Sequence, residues 1–246
     1  MSERRAPDWL TRYEYAHRGL HRADGSGPVP ENSLAAAKGA IAAGMGIECD
    51  IQRSRDDHPM VFHDWDAARL TGEAGATDQR TASELEQLCL LGTDQHPFPL
   101  SAMLGLVAGQ VPLLIEIKSR SGYDVVSTCV HVSRLLADYA GDHAVMSFDP
   151  RVARWFRRHA PQTLCGLVMR EDEHGQTQKA WQRRLALWIA KPDFLAYHIA
   201  ALPSRWVAGL RARGMPVLTW TVNSPETRAR ALIHADALIA EGAGLA

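Results

Sequence analysis

The chain has 246 residues, 46% hydrophobic and 22% charged, with a formal net charge of −1, a profile that excludes a disordered or collagen-like polypeptide. Its arginines are scattered or confined to one helix face, so no basic footprint for nucleic acid is present. No uninterrupted run approaches the roughly 20 apolar residues of a membrane span, so stable membrane insertion is not expected.

Cys49, Cys89, Cys129 and Cys165 lie 36 to 40 residues apart without a Cys-x-x-Cys pair. That spacing argues against a zinc site or a disulfide framework and fits reduced thiols in a cytoplasmic protein. "MSERRAPDWLTRYEY" has no apolar segment behind its basic residues, so no secretory leader is expected.

In chain order, short β-rich apolar runs alternate with segments of i, i+3, i+4 periodicity. The expected strands are "YEYAH" (13–17), "IECDI" (47–51), "LLIEIK" (113–118), "AVMSF" (144–148), "LCGLV" (164–168), "FLAYH" (194–198), "VLTWTV" (217–222) and "ALIAE" (237–241). Between them, helices are expected at "SLAAAKGAIAAG", "ASELEQLCLL", "LSAMLGLVAG", "DVVSTCVHVSRLLADYA", "PRVARWFRRHA", "QKAWQRRLALWIA", "SRWVAGLRARG" and "PETRARALIHA". Ser83, Pro150 and Pro225 read as helix-start signals. Eight strands separated by helices imply a parallel sheet, and at this length a (β/α)8 TIM barrel of one domain, residues 1–246, is the economical solution. An open doubly wound sheet is the runner-up. Residues 53–112 are too long for one crossover and read as an insertion after the second strand.

A barrel of parallel strands assembles its site at the strands' C-terminal ends, and the unusual residues of this chain fall there. His17 and Arg18 end the first strand and open a long loop, "EYAHRGLHRADGSGPVPENS". Glu48 and Asp50, two apart on the second strand, face one way while Cys49 faces the other. His63 and Asp64 end the short run "PMVFHD", and Glu116 and Lys118 share one face of the third strand. Two unit charges ~4 Å apart interact by roughly 4 kcal/mol at an effective dielectric of about 20, so three clustered carboxylates need a cation, a proton or distance, and a divalent ion is the natural partner. An all-oxygen set favours Mg²⁺ or Ca²⁺. The plain alternative makes Glu48 and Asp50 solvent-facing on an edge strand and Glu116 with Lys118 a surface ion pair.

Histidine is suited to proton transfer near neutral pH. His17 and His63, each at a strand end beside a charged neighbour, are therefore the expected acid/base pair for hydrolysis of an anionic ester, whereas His131, His159 and His234 are expected to be packed or on the surface. The Arg151, Arg154, Arg157 and Arg158 cluster reads as a solvated helix face, and Trp155, Trp181, Trp188 and Trp206 as packing residues. "DGSG" (24–27) lacks the spacing of a nucleotide loop.

Taken in order, "AHRG", "PENS", "GIECDI", "VFHD", "RLTG", "IEIK", "SFDP" and "WTVN" resemble the glycerophosphodiester phosphodiesterase family over roughly residues 13–241. The resemblance implies a barrel that hydrolyses glycerophosphodiesters to glycerol 3-phosphate and an alcohol with a divalent metal. It makes His17 and His63 the acid/base histidines, Glu48, Asp50 and Glu116 the metal ligands, Arg18 the phosphate-side arginine and Lys118 the lysine near the substrate. The partner it implies is a small phosphodiester. Glu31 and Asn32 are expected to cap the next helix or brace the site.

Three positions depart from the family pattern: "SRDDHP" puts Asp57 and His58 where Asp-Gly is common, Ser101 replaces a glutamate, and the chain stops at "IAEGAGLA" where the family continues into a last helix. The barrel is then expected to close without that helix or to have the seam covered by a partner subunit. Competing readings are a phospholipase D-like enzyme for lysophospholipid or sphingolipid head groups, and a non-catalytic phosphodiester-binding barrel.

Overall fold

Local sequence period decides the elements first. The computed structural model describes residues 6–22 and 28–245; the chain's basic start and the "DGSG" stretch lie outside the described residues. Among the described residues ten strands follow one another: β1 (Tyr15–Ala16), β2 (Gly46–Arg53), β3 (Pro59–Val61), β4 (Phe98–Pro99), β5 (Leu113–Ile117), β6 (His143–Ser147), β7 (Leu164–Met169), β8 (Phe194–His198), β9 (Val217–Val222) and β10 (Ala237–Ala240). All eight expected strands are present. The fold is a (β/α)8 barrel, with β3 and β4 as additions outside the repeating pattern.

The chain divides into two compact units, Arg18–Asp142 and the segments on either side of it. Within Arg18–Asp142, β2 pairs in parallel with β5 in a register that sets Asp50 beside Glu116. Its other edge pairs antiparallel with β3, which pairs antiparallel with β4. The second unit is a parallel run in the order β1, β10, β9, β8, β7, β6. β2 is buried on both faces. Its period of two therefore separates Ile47, Cys49 and Ile51 from Glu48, Asp50 and Gln52 rather than core from solvent.

Helix Leu34–Ala42 starts where Ser33 accepts a hydrogen bond from the Ala36 N–H at 3.0 Å. It packs closely on the strand-end loop at Gly19, where φ is +77° and a Cβ would lie 2.8 Å from that of Ala36. The helix expected at 82–91 ends at Glu86, and its cap is Thr81, in a reciprocal box with Glu84, not Ser83. It stops early because Leu90 bonds Gln95 across a turn and tucks with Leu88 beneath Phe62 and Ala67. In "SRDDHP" the left-handed residue is Asp57, φ +69°, and the turn is closed by the Ser54 hydroxyl, which accepts from the His58 N–H at 2.9 Å.

Arg151, Arg154, Arg157 and Arg158 are exposed, as expected for a solvated helix face. Two of the tryptophans overturn the packing expectation: Trp181 is 60% and Trp188 68% exposed, on helix Ala180–Ala190. That helix buries its small residues, Ala186 and Ala190, and turns the large rings outward.

Gly166 on β7 is a second place where a side chain has no room, since a Cβ would lie 2.3 Å from the ring of Phe194 on the adjacent strand. Gly166→Ala is expected to cost about 1–3 kcal/mol by overpacking. A thermal melt should show a fall of roughly 2–4 °C per kcal/mol; an unchanged Tm would mean that the β7 and β8 interior is looser than described.

Candidate active site

β2 delivers Glu48 and Asp50 to one face, and β5 delivers Glu116 beside Asp50. All three are buried, and each offers a carboxylate oxygen within 4.8 Å of the others. The edge-strand alternative is thereby excluded. Lys118 continues the parity of β5, and its Nζ donates to Asp50 Oδ1 at 3.2 Å and to Glu116 Oε1 at 2.9 Å. Burial alone would lower the Lys118 pKa, but the adjacent Asp50 and Glu116 carboxylates hold it above its ordinary value.

Arg18 reaches the same group from the loop after β1, with φ +56°. Its backbone N–H donates to Glu48 Oε2 at 3.0 Å, and its Nε lies 3.4 Å from Asp50 Oδ2. Burial works against its charge, and Asp50, Glu31 and Glu48 outweigh that. Glu48 has the opposite balance: burial, with Asp50 and Glu116 as like-charged neighbours, pushes its carboxyl well above the usual range despite Arg18. Three carboxylates against two cations leave a hard, oxygen-only donor set that suits a divalent cation, and Glu48, Asp50 and Glu116 are the residues that could hold it.

Asn32 braces the cluster rather than capping a helix. Its Nδ2 donates to Asp50 Oδ2 at 2.9 Å, and its Oδ1 accepts from the Asp50 N–H at 3.2 Å. A left-handed φ of +53° and a bond from its own N–H to Arg18 C=O turn the amide toward Asp50. The loop residues therefore orient a candidate ligand and the arginine together.

His63 stands at the end of a second network in the same unit. Its Nδ1 is 2.6 Å from Asp64 Oδ1. Arg69 donates to Asp64 through Nε at 2.5 Å and through Nη2 at 3.0 Å, and to Glu31 Oε1 through Nη2 at 2.7 Å. Glu31 in turn accepts from Arg18 Nη1 at 2.8 Å. Alternating charges thus run Arg18, Glu31, Arg69, Asp64, with the His63 ring at the end. The hydrogen bonds it donates to Asp64 and then to Glu31 raise the Arg69 pKa. Burial works against the charge of Asp64, and Arg69 and His63 more than offset it, holding its carboxyl below the usual range. Gln52, on the carboxylate face of β2, anchors the loop by donating through Nε2 to the carbonyl oxygens of His63, at 2.8 Å, and Asp64.

Arg69→Ala is expected to free Asp64 and the His63 ring it orients, lowering kcat by up to about 100-fold through misplacement with Tm little changed. Arg69→Lys should recover part of the loss. Equal kcat in the alanine variant would detach this arginine from the chemistry.

In the other unit, the pairing of Ala16 with Ala240 brings His17 beside Glu241, with His17 Nδ1 2.6 Å from Glu241 Oε2. Phe148 and Trp220, from "SFDP" and "WTVN", meet edge to face at 5.4 Å between centroids. Sequence reasoning did not single out Glu241, Asn32's contact with Asp50, Gln52, Glu31's ion pairs or Arg69. Glu241 carried a readable signal, a carboxylate ending an apolar strand; Gln52 shares the parity of Glu48 and Asp50. Arg69 had none beyond its place in "RLTG".

The family model for the glycerophosphoryl diester phosphodiesterase family matches residues 17–240. A glycerophosphodiester phosphodiesterase of Caldanaerobacter subterraneus is 26% identical over 219 residues, 85% of this chain and 87% of that one. A Bacillus subtilis protein provisionally named for the same activity is 26% identical over 227 residues, 89% of each. Among solved structures, an Oleispira antarctica phosphodiesterase in complex with sn-glycerol-3-phosphate superposes with a TM-score of 0.79 at 22% identity, covering 93% of this chain and 92% of that one. With a match that spans nearly all of the ordered motifs, from His17 to Ala240, the chain belongs to the glycerophosphoryl diester phosphodiesterase family of phosphoric diester hydrolases.

Proposed function

We propose that the protein hydrolyses glycerophosphodiesters to glycerol 3-phosphate and an alcohol, with His17 and His63 moving protons and a divalent cation, Mg²⁺ or Ca²⁺, held by Glu48, Asp50 and Glu116. The observation that carries the reading is the buried three-carboxylate group braced by Arg18, Asn32 and Lys118, in a chain of this family. When bound, the cation would polarise a phosphoryl oxygen. Arg18, its guanidinium paired with Glu31 and Asp50, is the phosphate-side cation, and Lys118 holds Asp50 and Glu116 in register. Each histidine has one ring nitrogen against a carboxylate, Asp64 or Glu241, an arrangement that fixes the ring's orientation. One histidine protonates the leaving alkoxide and the other accepts the proton of the attacking water.

The substrate is a small phosphodiester, as the Oleispira antarctica complex with sn-glycerol-3-phosphate supports by analogy of fold. Among the described residues no helix is long and apolar enough to cross a membrane. Among the described residues none of the four cysteines is in a disulfide, which is in keeping with reduced thiols in a cytoplasmic setting. The test is release of glycerol 3-phosphate from a panel of glycerophosphodiesters with Mg²⁺, with Ca²⁺ and with chelator. Metal-dependent release is expected. Its absence across the panel, together with turnover of lysophospholipids, would move the assignment to a lipid head-group phosphodiesterase.

A further inference from the structure

We propose that helices Pro150–His159 and Ala180–Ala190 form a docking surface for anionic lipid bilayers. The inference does not depend on the proposed activity. Trp181, Arg184, Leu185 and Trp188 are all exposed; spacings of three, one and three residues put them on a single helix face spanning about 10 Å. Two indoles and a leucine at 46–68% exposure on one helix leave apolar area in water that a folded chain ordinarily covers.

The packed neighbour, helix Pro150–His159, supplies the charge. Arg151, Arg154 and Arg158 recur on its outer side and Arg157 flanks them, all exposed. Arg157 Nη1 donates to the Lys191 carbonyl oxygen at 3.2 Å, fastening this helix to the end of Ala180–Ala190. Neither helix contains an aspartate or glutamate. Arg151 pairs with Asp149, the cap of its own helix, and Arg183 with Glu171; Arg154, Arg157, Arg158 and Arg184 have no carboxylate within ion-pair distance among the described residues. Trp155 stacks on His159 at 4.7 Å beside them.

Tryptophan rings with arginine around them match the boundary between head groups and acyl chains, where an indole is apolar on its body and polar at its N–H. Arginine adds attraction to anionic head groups. With no helix among the described residues long and apolar enough to span a bilayer, the mode is adsorption of a surface helix face. A second copy of the chain fits less well, because a symmetric pairing would set arginines against arginines with no acid between them. Nucleic acid would use the cations and leave Leu185 and the outward tryptophans unexplained.

The test is sedimentation of the intact protein with vesicles of phosphatidylcholine alone and of phosphatidylcholine mixed with phosphatidylglycerol. Binding to the mixed vesicles, weakened by salt, is expected. The pair Trp181→Ala and Trp188→Ala should weaken it by at least about tenfold, and each of Arg154→Gln, Arg158→Gln and Arg184→Gln by about fivefold. These variants should keep their Tm and their turnover of soluble substrate, since none of the residues belongs to the active site. The proposal is overturned if the protein stays in the supernatant with anionic vesicles, or if the variants bind as the parent does. It is equally overturned if the tryptophan pair instead abolishes a concentration-dependent dimer, or if duplex DNA displaces the vesicles and binds more tightly.

Discussion

His63→Ala and His17→Ala are each expected to lower kcat for glycerophosphodiester hydrolysis by about 10²- to 10⁴-fold, the usual worth of a positioned acid or base, while circular dichroism and Tm stay near those of the parent. The fold is expected to survive because neither substitution orphans a buried carboxylate. Asp64 keeps two bonds from Arg69 after the imidazole is removed, and Glu241 is partly exposed, at 28% of its side chain. A second measurement separates the two roles. With a p-nitrophenyl phosphodiester the leaving group needs no protonation, so the variant lacking the general acid should recover most of its rate and the variant lacking the base should not. Near-parental turnover of an alkyl diester by either variant would remove that histidine from the mechanism, and equal losses on both substrates would return both residues to a positioning role.

The carboxylates yield a second large effect, with a sign that differs between residues. Glu48→Gln, Asp50→Asn and Glu116→Gln are each expected to weaken divalent-cation binding by at least about tenfold, and with it turnover. Stability without metal should split them. The Glu48 carboxyl is pushed well upward by burial and by Asp50 and Glu116; a carboxyl raised in the folded state opposes folding at neutral pH, and that opposition fades as pH falls through its folded pKa. Glu48→Gln should therefore leave the metal-free Tm unchanged or higher, and its Arg18 N–H contact can be kept by the amide oxygen.

Asp50 is the reverse case, because it takes bonds from Asn32 and Lys118 and faces Arg18. Removing its charge leaves two part-buried cations undercompensated, and breaking a fully buried pair costs about 3–5 kcal/mol, so a loss of Tm toward that limit is expected. Metal titration followed by calorimetry with and without chelator reads both effects. Added cation should stabilise the parent by about 2.7 kcal/mol at 100 times its Kd. Titration curves that do not move in any of the three variants would defeat the ligand assignment, and a metal-free Glu48→Gln protein that melts well below the parent would show that its carboxylate is an asset to the fold.

What could be read in advance was whatever a local rule controls. A period of two in "IECDI" and "LLIEIK" put Glu48 with Asp50 and Glu116 with Lys118, and the alternation of strands with helices implied a barrel with strand-end chemistry, all before any contact was known. Those properties follow from backbone geometry within a few residues. Helix ends were less legible: "ASELEQLCLL" carries a sound helical pattern, yet Leu88 and Leu90 are drawn into the Phe62 cluster and the helix ends at Glu86.

Partners distant in sequence were beyond local rules. Glu31 lies 38 residues from Arg69, and His17 lies 224 from Glu241; both pairings exist because the sheet register and the loop conformations bring them together. Helix Ala180–Ala190 makes the same point from the side of packing. Its sequence is apolar on several faces, so periodicity alone favours burying the tryptophans, but Ala186 and Ala190 are the residues buried. The sequence by itself determined which elements form and which side chains share a strand face. Tertiary packing decided which charges meet and which aromatic rings remain in water, because both depend on surfaces that come together only once the chain has folded.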